Sequence, residues 1–236
     1  VGLVVSAAAW AVLMHRERVG DATDFERSAG TRGRVVADAI EIHRALLATV
    51  PGLFDASEPP TPESLGSFYA RLHELRPGHV LVGWAPSVAG TDLEAFAEGV
   101  RRADRPSFRV RRWDPASGFS VVGPEALHAP LAVVAPAGLA PGVLGWDLAL
   151  DPALRAALDA ARDAGETRAV PSFALPKPVA DAGLTGPAVA LVQPVYARGR
   201  VPSTVAERRT ALRGWAFVIL DPTLVIDHAR GTLEPE

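Results

Sequence analysis

Between residues 107 and 150, short apolar segments follow one another, separated only by brief turns that contain proline or glycine. The first, SFRVRRW, alternates apolar and basic side chains, which places Phe108 and Val110 on one side of a predicted strand. FSVV, PLAVVAP and GVLGWDLAL follow as further predicted strands. Short links can join antiparallel strands, whereas parallel strands need a crossover of about a dozen residues. The segment therefore predicts an antiparallel sheet and argues against a doubly wound fold.

Helix signals stand on both sides of these strands. The predicted helix starts are Thr61 with Pro62, the capping box Thr91…Glu94, Asp151 with Pro152, and the capping box Thr204…Glu207. Gly165 stands where a left-handed cap would end the third of these helices. Further strands are predicted at 79–84, 168–174, 187–196 and 214–220. The fold class is predicted as α+β, a PAS-like antiparallel sheet with flanking helices.

The N-terminal region predicts a membrane-proximal rod. VGLVVSAAAWAVLM contains no charged residue, but it is shorter than the roughly 20 apolar residues that a membrane span needs. We therefore interpret residues 1–18 as the end of a transmembrane helix. A signal-peptide remnant and an ordinary buried helix are the alternatives. The basic residues of HRER at 15–18 argue against an external location for the chain beyond them, because such residues favour the cytoplasmic side. Three- and four-residue apolar spacing then predicts a stalk helix over 19–56.

The residue types predict no catalytic, metal or cofactor site. The chain contains no cysteine, and its net charge of −3 does not suggest a nucleic-acid partner. No two of the six histidines have the helical spacing of a zinc site, and no nucleophile elbow, phosphate loop or dinucleotide fingerprint is present. Asp147 stands alone in an apolar run, where it must be hydrogen-bonded; its partners are either backbone amides at the next helix start or a ligand. The tryptophans of the predicted strands either fill the core or line a pocket.

Several motifs occur in an order that points to one family. They are LVGWAPSV (81–88), APLAVVAP (129–136), GVLGWDLALDP (142–152), VALVQPVY (189–196) and AERRTALRGWAFVIL (206–220). This series resembles the CHASE domain, the extracellular sensing module of many membrane-bound histidine kinases and cyclases. The resemblance extends over about 25–226. It implies a long stalk helix and two PAS-like units, of which this chain reaches only the end of the ligand-binding, membrane-distal one.

The resemblance also implies where a ligand would lie and which ligand is excluded. Cytokinin-binding members carry an aspartate at the position of Leu154 and threonines near Val170 and Val192, so the apolar residues here argue against cytokinin recognition. Trp215 keeps the aromatic residue of the last strand. We expect a small molecule or peptide to bind on the concave face of the sheet. The predicted lining residues are Trp84, Phe108, Leu148, Leu154, Val170, Val192 and Trp215.

The sequence therefore predicts a sensor domain at 57–226, after the transmembrane segment (1–18) and the stalk (19–56) and before a tail at 227–236. We expect it to be anchored in a bacterial membrane, to face the periplasm or the exterior, to form a homodimer through the stalk, and to control a kinase or cyclase outside this chain. No enzyme activity, cofactor, metal or nucleic-acid partner is expected. The alternative is an envelope interaction or dimerisation module with a filled core and no small-molecule ligand.

Overall fold

The computed structural model describes residues 60–75, 78–103, 105–184 and 186–231, together with the single positions 41 and 45. The elements described below belong to the unit of the chain that follows Glu41. The predicted transmembrane segment 1–18 lies outside the described residues, as does the predicted stalk helix except for the single positions 41 and 45. Within the described ranges, no helix is both long enough and apolar enough to cross a membrane.

The strands of the described residues are β1 (His79–Pro86), β2 (Val88–Ala89), β3 (Arg111–Asp114), β4 (Gly118–Val121), β5 (Leu127–His128), β6 (Val133–Ala135), β7 (Arg168–Val170), β8 (Val189–Tyr196) and β9 (Leu212–Leu220). Five of them form one sheet in the order β6-β1-β9-β8-β7, and every neighbouring pair is antiparallel. The pairs β2–β5 and β3–β4 form two small separate ladders. The predicted antiparallel sheet is confirmed, and the first and last strands lie side by side inside it.

The described helices flank this sheet. They are α1 (Pro62–Leu75), α2 (Leu93–Arg102), α3 (Ala140–Val143), α4 (Pro152–Ala164), α5 (Lys177–Ala180), α6 (Val205–Ala211) and α7 (Pro222–Gly231). The predicted boundary between sensor and tail after residue 226 falls within α7. A mixed fold of one antiparallel sheet with flanking helices agrees with the predicted fold class.

The sheet buries both of its faces. Alternate residues of a strand point to opposite sides, and in β9 Trp215 and Phe217 lie on one side while Ala216 and Val218 lie on the other. The side of Trp215 packs against Leu154 and Leu158 of α4 and is called the α4 face. The opposite side packs against Leu65 and Leu72 of α1 and is called the α1 face.

Three of the four predicted helix starts are confirmed. Thr61 accepts a hydrogen bond from the Ser64 amide at 3.1 Å. Asp151 accepts bonds from the amides of Ala153 and Leu154 at 2.8 and 3.0 Å, and Gly165 ends the helix in the left-handed conformation, with φ 76°. The Thr204…Glu207 capping box is also present at the start of α6.

The predicted capping box at Thr91 is wrong. A 3-10 turn occupies Gly90–Asp92, so α2 begins two residues beyond Thr91 with Asp92 as its N-cap. The Thr91 hydroxyl therefore does not lie at the capping position, and no side chain caps this helix. Glu94 instead forms an ion pair with Arg101, with 2.6 Å between the oxygen and the nitrogen.

The predicted strand GVLGWDLAL is also wrong. Pro141 stands at the start of the short helix α3, and Gly145 follows in a left-handed turn with φ 79°. A Cβ atom at Gly145 would lie 1.9 Å from the carbonyl oxygen of Arg109, so no other residue fits there without a shift of the backbone. Beyond the turn, Trp146 and Asp147 make only isolated bridges before a 3-10 turn at Leu148–Leu150.

Two other strands are shorter than the sequence predicted. The strand within SFRVRRW begins only at Arg111, and the strand predicted at 168–174 ends at Val170. The preceding residues Phe108 and Val110 are nevertheless buried, in a small cluster with Leu93 of α2.

Candidate functional site

The structure brings together five of the seven predicted lining residues. Leu148, Leu154, Val170, Val192 and Trp215 belong to one hydrophobic cluster on the α4 face. Leu154 comes from α4, while Val170 and Val192 come from the neighbouring strands β7 and β8. These five side chains therefore meet on one face of the sheet.

The other two predicted lining residues lie elsewhere. Trp84 packs on the α1 face, in the cluster that contains Leu65 and Leu72. Phe108 packs in the separate cluster of α2, where its ring meets Phe96 edge-on at 5.9 Å between centroids. These two side chains do not share a surface with Trp215.

The α4 face is tightly packed around Trp215. The indole Nε1–H of Trp215 donates a hydrogen bond to the carbonyl oxygen of Leu158 at 3.1 Å. The side chains of Trp215, Leu148, Leu154 and Val192 each have 0% accessible surface. Zero accessible surface means that no water-sized space borders these side chains, either inside or outside the protein. A ligand reaches them only if the surrounding side chains move.

One polar group at the border of this cluster lacks a partner. Trp113 of β3 is partly buried, packs against the α4-face cluster, and tilts against Phe119 with 5.0 Å between ring centroids. Its indole Nε1 is buried and has no hydrogen-bond partner. Buried donors are almost always paired in folded proteins, so this N–H is an unused donor beside the predicted binding face.

A buried carboxylate and a buried imidazole lie beside the same cluster. Asp147 accepts hydrogen bonds from the amides of Ala129 and Ala149 at 2.8 and 3.1 Å. The Ala149 amide belongs to the 3-10 turn that follows, as the backbone-amide alternative predicted, whereas Ala129 lies before β6. The second oxygen of Asp147 lies 2.5 Å from Nδ1 of His128. The Nε2 atom of His128 accepts from the Glu125 amide at 2.9 Å, so the ring proton is on Nδ1. With both nitrogens occupied and no accessible surface, this pair fixes the fold and is not a general base.

The pairing of His128 with Asp147 was not predicted from the sequence. The available signal was that each is a single polar residue within an apolar run, and a buried carboxylate requires several donors. Residues 19 positions apart cannot be paired from the sequence without knowing that residues 129–131 and 145–148 exchange backbone hydrogen bonds.

An ionic network fastens α6 to the end of α4. Asp163 pairs with Arg209 at 2.6 Å and with Arg162 at 2.7 Å, and hydrogen bonds from Arg209 first and Arg162 second hold the pKa of Asp163 well below its usual value. Arg208 donates to the carbonyl oxygens of Asp163 and Pro202, both at 2.8 Å. Arg208 and Arg209, which belong to the motif AERRTALRGWAFVIL (206–220), thus have partners within the protein.

Tyr196, at the end of β8, reinforces this junction. Its hydroxyl donates a hydrogen bond to the carbonyl oxygen of Arg162, and burial raises the pKa of Tyr196 to about 12. Because the phenol stays protonated across the physiological range, this bond to α4 persists there.

A surface groove lies between the loop after β8 and helix α6. Its volume is about 850 Å³, and we call it the α6 groove. It is lined by Ala197, Arg200, Val201, Pro202, Ser203, Ala206, Glu207, Thr210 and Ala211. The groove was not predicted from the sequence, because the loop at 197–203 carries neither an apolar period nor a recognised motif.

Three findings bear on function beyond this geometry. The described residues contain no group of three or more histidine and acidic side chains that could hold a metal ion. The family model described as "CHASE domain" matches residues 61–234, which is 174 of the 236 residues. No curated protein matches the chain. The family match includes the whole five-stranded sheet and agrees with the resemblance that the sequence predicted.

Proposed function

Because the chain belongs to the CHASE domain family, we propose that it senses a small molecule or peptide outside the membrane of a bacterial cell. CHASE domains are sensory domains of signalling proteins and are not catalytic. We place the ligand on the α4 face of a PAS-like sheet, and the responding kinase or cyclase outside this chain. Membrane anchoring and dimerisation through the N-terminal stalk belong to the same proposal.

The observation that carries this proposal is that five predicted lining residues, including Trp215, meet on one face of the sheet. They come from α4, β7, β8, β9 and the turn before α4, which are distant in the sequence. The unpaired indole N–H of Trp113 at the border of the same cluster also supports a ligand. A ligand with a hydrogen-bond acceptor and an apolar body would pair with this donor while its body enters the cluster.

The packing of the α4 face determines how binding would transmit a signal. Since Leu154 and Trp215 border no water-sized space, a ligand that enters must displace the side chains between α4 and the sheet, and we expect α4 to shift with them. The ionic network would pass such a shift from α4 to α6 through Asp163 and Arg209. The ligand would favour the shifted arrangement only to the extent that it binds that arrangement more tightly.

A second candidate function is an interaction or dimerisation module whose core is filled by its own side chains. The specific observation in its favour is the zero accessible surface of Leu148, Leu154, Val192 and Trp215. In this alternative the α4 face is simply a core, and signalling would depend on a protein partner or on the association of two copies.

A ligand screen with two matched tryptophan variants tests the choice. Trp215→Phe and Trp84→Phe each retain an aromatic ring, but the first alters the α4 face and the second alters the α1 face. The 236-residue chain and both variants are screened by thermal shift against a panel of metabolites and short peptides. We expect a compound that raises the Tm of the wild type and of Trp84→Phe, but raises that of Trp215→Phe much less.

Two outcomes would overturn the proposal in favour of the filled core. One is that no compound in the panel stabilises the wild-type chain. The other is that the active compounds stabilise Trp215→Phe and Trp84→Phe to the same extent. Each variant is first compared with the wild type without ligand, so that a general loss of stability is not mistaken for a lost contact.

A further inference from the structure

The α6 groove carries one cationic side chain that the protein itself does not use. Arg200 is exposed, and within the described part of the chain its guanidinium makes no hydrogen bond and no ion pair. Two arginines of α6 differ from it, since Arg208 is bound to backbone carbonyls and Arg209 is bound to Asp163. Among the described residues, Arg200 is the arginine that lines the groove, and its five donors remain available to a ligand.

The same groove carries one anionic side chain. Glu207 lines the groove, and one of its carboxylate oxygens accepts a hydrogen bond from the Thr204 amide at 3.0 Å. Hydrogen bonds from the backbone and hydroxyl of Thr204 lower the pKa of Glu207, so the carboxylate is charged at neutral pH. No ion pair joins Glu207 to a cation of the described residues. An ionised carboxylate has about four acceptor sites, so Glu207 can also accept hydrogen bonds from a ligand.

Apolar and hydroxyl side chains form the rest of the groove lining. Val201 is 55% exposed, an unusual position for a large apolar side chain, and Ala206 and Ala211 border the same space. The hydroxyls of Ser203 and Thr210 are also in the lining. The volume of about 850 Å³ lies within the range of roughly 300–1,000 Å³ that small-molecule sites occupy.

We propose that the α6 groove is a binding site for a zwitterionic amino acid with an apolar side chain. The ligand carboxylate pairs with Arg200, its ammonium pairs with the carboxylate of Glu207, and its side chain lies against Val201 and Ala206. A simple anion would face the carboxylate of Glu207, and a simple cation would face Arg200. Only a ligand that carries both charges satisfies both groups at once. This site is separate from the α4 face and does not depend on a ligand there.

The position of the groove connects its occupancy to the rest of the domain. Glu207 belongs to α6, whose Arg208 and Arg209 are bound to the end of α4. A ligand held between Arg200 and Glu207 joins the loop after β8 to α6. Binding therefore stabilises the α6–α4 junction, and we expect it to raise the Tm of the chain.

Isothermal titration of the 236-residue chain with L-leucine tests the proposal. Two comparison compounds each remove one charge from leucine: 4-methylpentanoate lacks the ammonium group, and 3-methylbutylamine lacks the carboxylate. We expect saturable binding of L-leucine and at least about tenfold weaker binding of both comparison compounds, because each loses a hydrogen-bonded charge pair.

Three variants locate the bound leucine. Arg200→Gln removes the free guanidinium. Glu207→Gln removes the negative charge but keeps an amide oxygen for the Thr204 N–H, since glutamine also closes a capping box. Ala206→Phe fills the groove and leaves both charges in place. Each variant is expected to weaken leucine binding by about tenfold or more, while the unliganded Glu207→Gln protein should show only a small decrease in Tm.

The proposal is overturned if the wild-type chain shows no saturable binding of L-leucine. It is also overturned if 4-methylpentanoate binds as tightly as leucine, because the ammonium group would then contribute nothing. If leucine binds and all three variants keep wild-type affinity, the amino acid binds elsewhere and the assignment to the α6 groove is wrong. None of these results bears on the proposed ligand of the α4 face, which the tryptophan variants test separately.

Discussion

Replacing Asp147 by asparagine tests whether the buried His128–Asp147 pair holds the turn before α4 in place. The asparagine side-chain oxygen can still accept from the amides of Ala129 and Ala149, but its NH₂ group then faces Nδ1 of His128. If His128 keeps its proton on Nδ1, two donors meet. If the proton moves to Nε2, it meets the Glu125 amide instead. Either way, two donors face each other and neither has an acceptor there, and at least one of them is buried.

The expected cost follows from those two donors. A buried donor without a partner costs about 1–3 kcal/mol, so Asp147→Asn should lower the free energy of unfolding by about 2–4 kcal/mol. For a chain of this size, each kcal/mol lowers the Tm by roughly 2–4 °C, so we expect a decrease of roughly 5–15 °C. Asp147→Ala, which removes the acceptor for all three donors, should cost more than Asp147→Asn.

Urea unfolding at pH 7, followed by circular dichroism, measures these differences. Asp181→Asn is the matched control, because this carboxylate is exposed and makes no hydrogen bond or ion pair among the described residues. It should stay within about 0.5 kcal/mol of the wild type. If Asp147→Asn were as stable as Asp181→Asn, the inferred tautomer and the structural role of the pair would both be wrong.

Three shorter predictions concern the turns and junctions around the sheet. Arg209→Gln should raise the pKa of Asp163, as measured by NMR titration, and should cost about 0.5–1 kcal/mol of stability above pH 4. Because the folded pKa of Asp163 is depressed, the wild-type advantage should shrink as the pH falls below 4; a constant difference would contradict this assignment. Thr204→Ala should lower the free energy of unfolding, measured by urea denaturation, by about 1 kcal/mol, whereas Thr91→Ala should have almost no effect. Equal effects of the two substitutions would contradict the capping assignments. Gly145→Ala should cost more than about 2 kcal/mol, since it combines a left-handed backbone with a clash against a carbonyl, and a stable variant would exclude that turn geometry.

The features that the sequence predicted well are local ones. A helix cap depends on residues within three positions of each other, so Asp151 and the pair Thr204…Glu207 were identifiable from spacing alone. The antiparallel sheet was predicted from the short links within 107–150, but of that segment only β6 belongs to the five-stranded sheet. The prediction for Thr91 was wrong because a 3-10 turn occupies Gly90–Asp92, and the helix therefore begins two residues after Thr91. The neighbouring residues give no sequence signal for this turn.

The sequence could not predict that the proposed lining residues lie on different surfaces. Strand β1 is buried along almost its whole length on both sides, so it has no polar and apolar alternation that would tell which face Trp84 occupies. The neighbouring residue Ala85 lies on the α4 face instead. Phe108 was assigned to a strand of the sheet, but the strand starts after it and its ring packs beside α2.

The adjacency of the first and last strands has a mechanical consequence. His79 at the start of β1 pairs with Leu220 at the end of β9, and the amide of Asp221 donates to the carbonyl oxygen of Gly78 at 2.8 Å. The peptide entering the sheet and the peptide leaving it are thus fastened at a single corner, next to the start of α7. Motion of α7 is therefore coupled to the start of β1, whereas the outer strands β6 and β7 take no part in this contact.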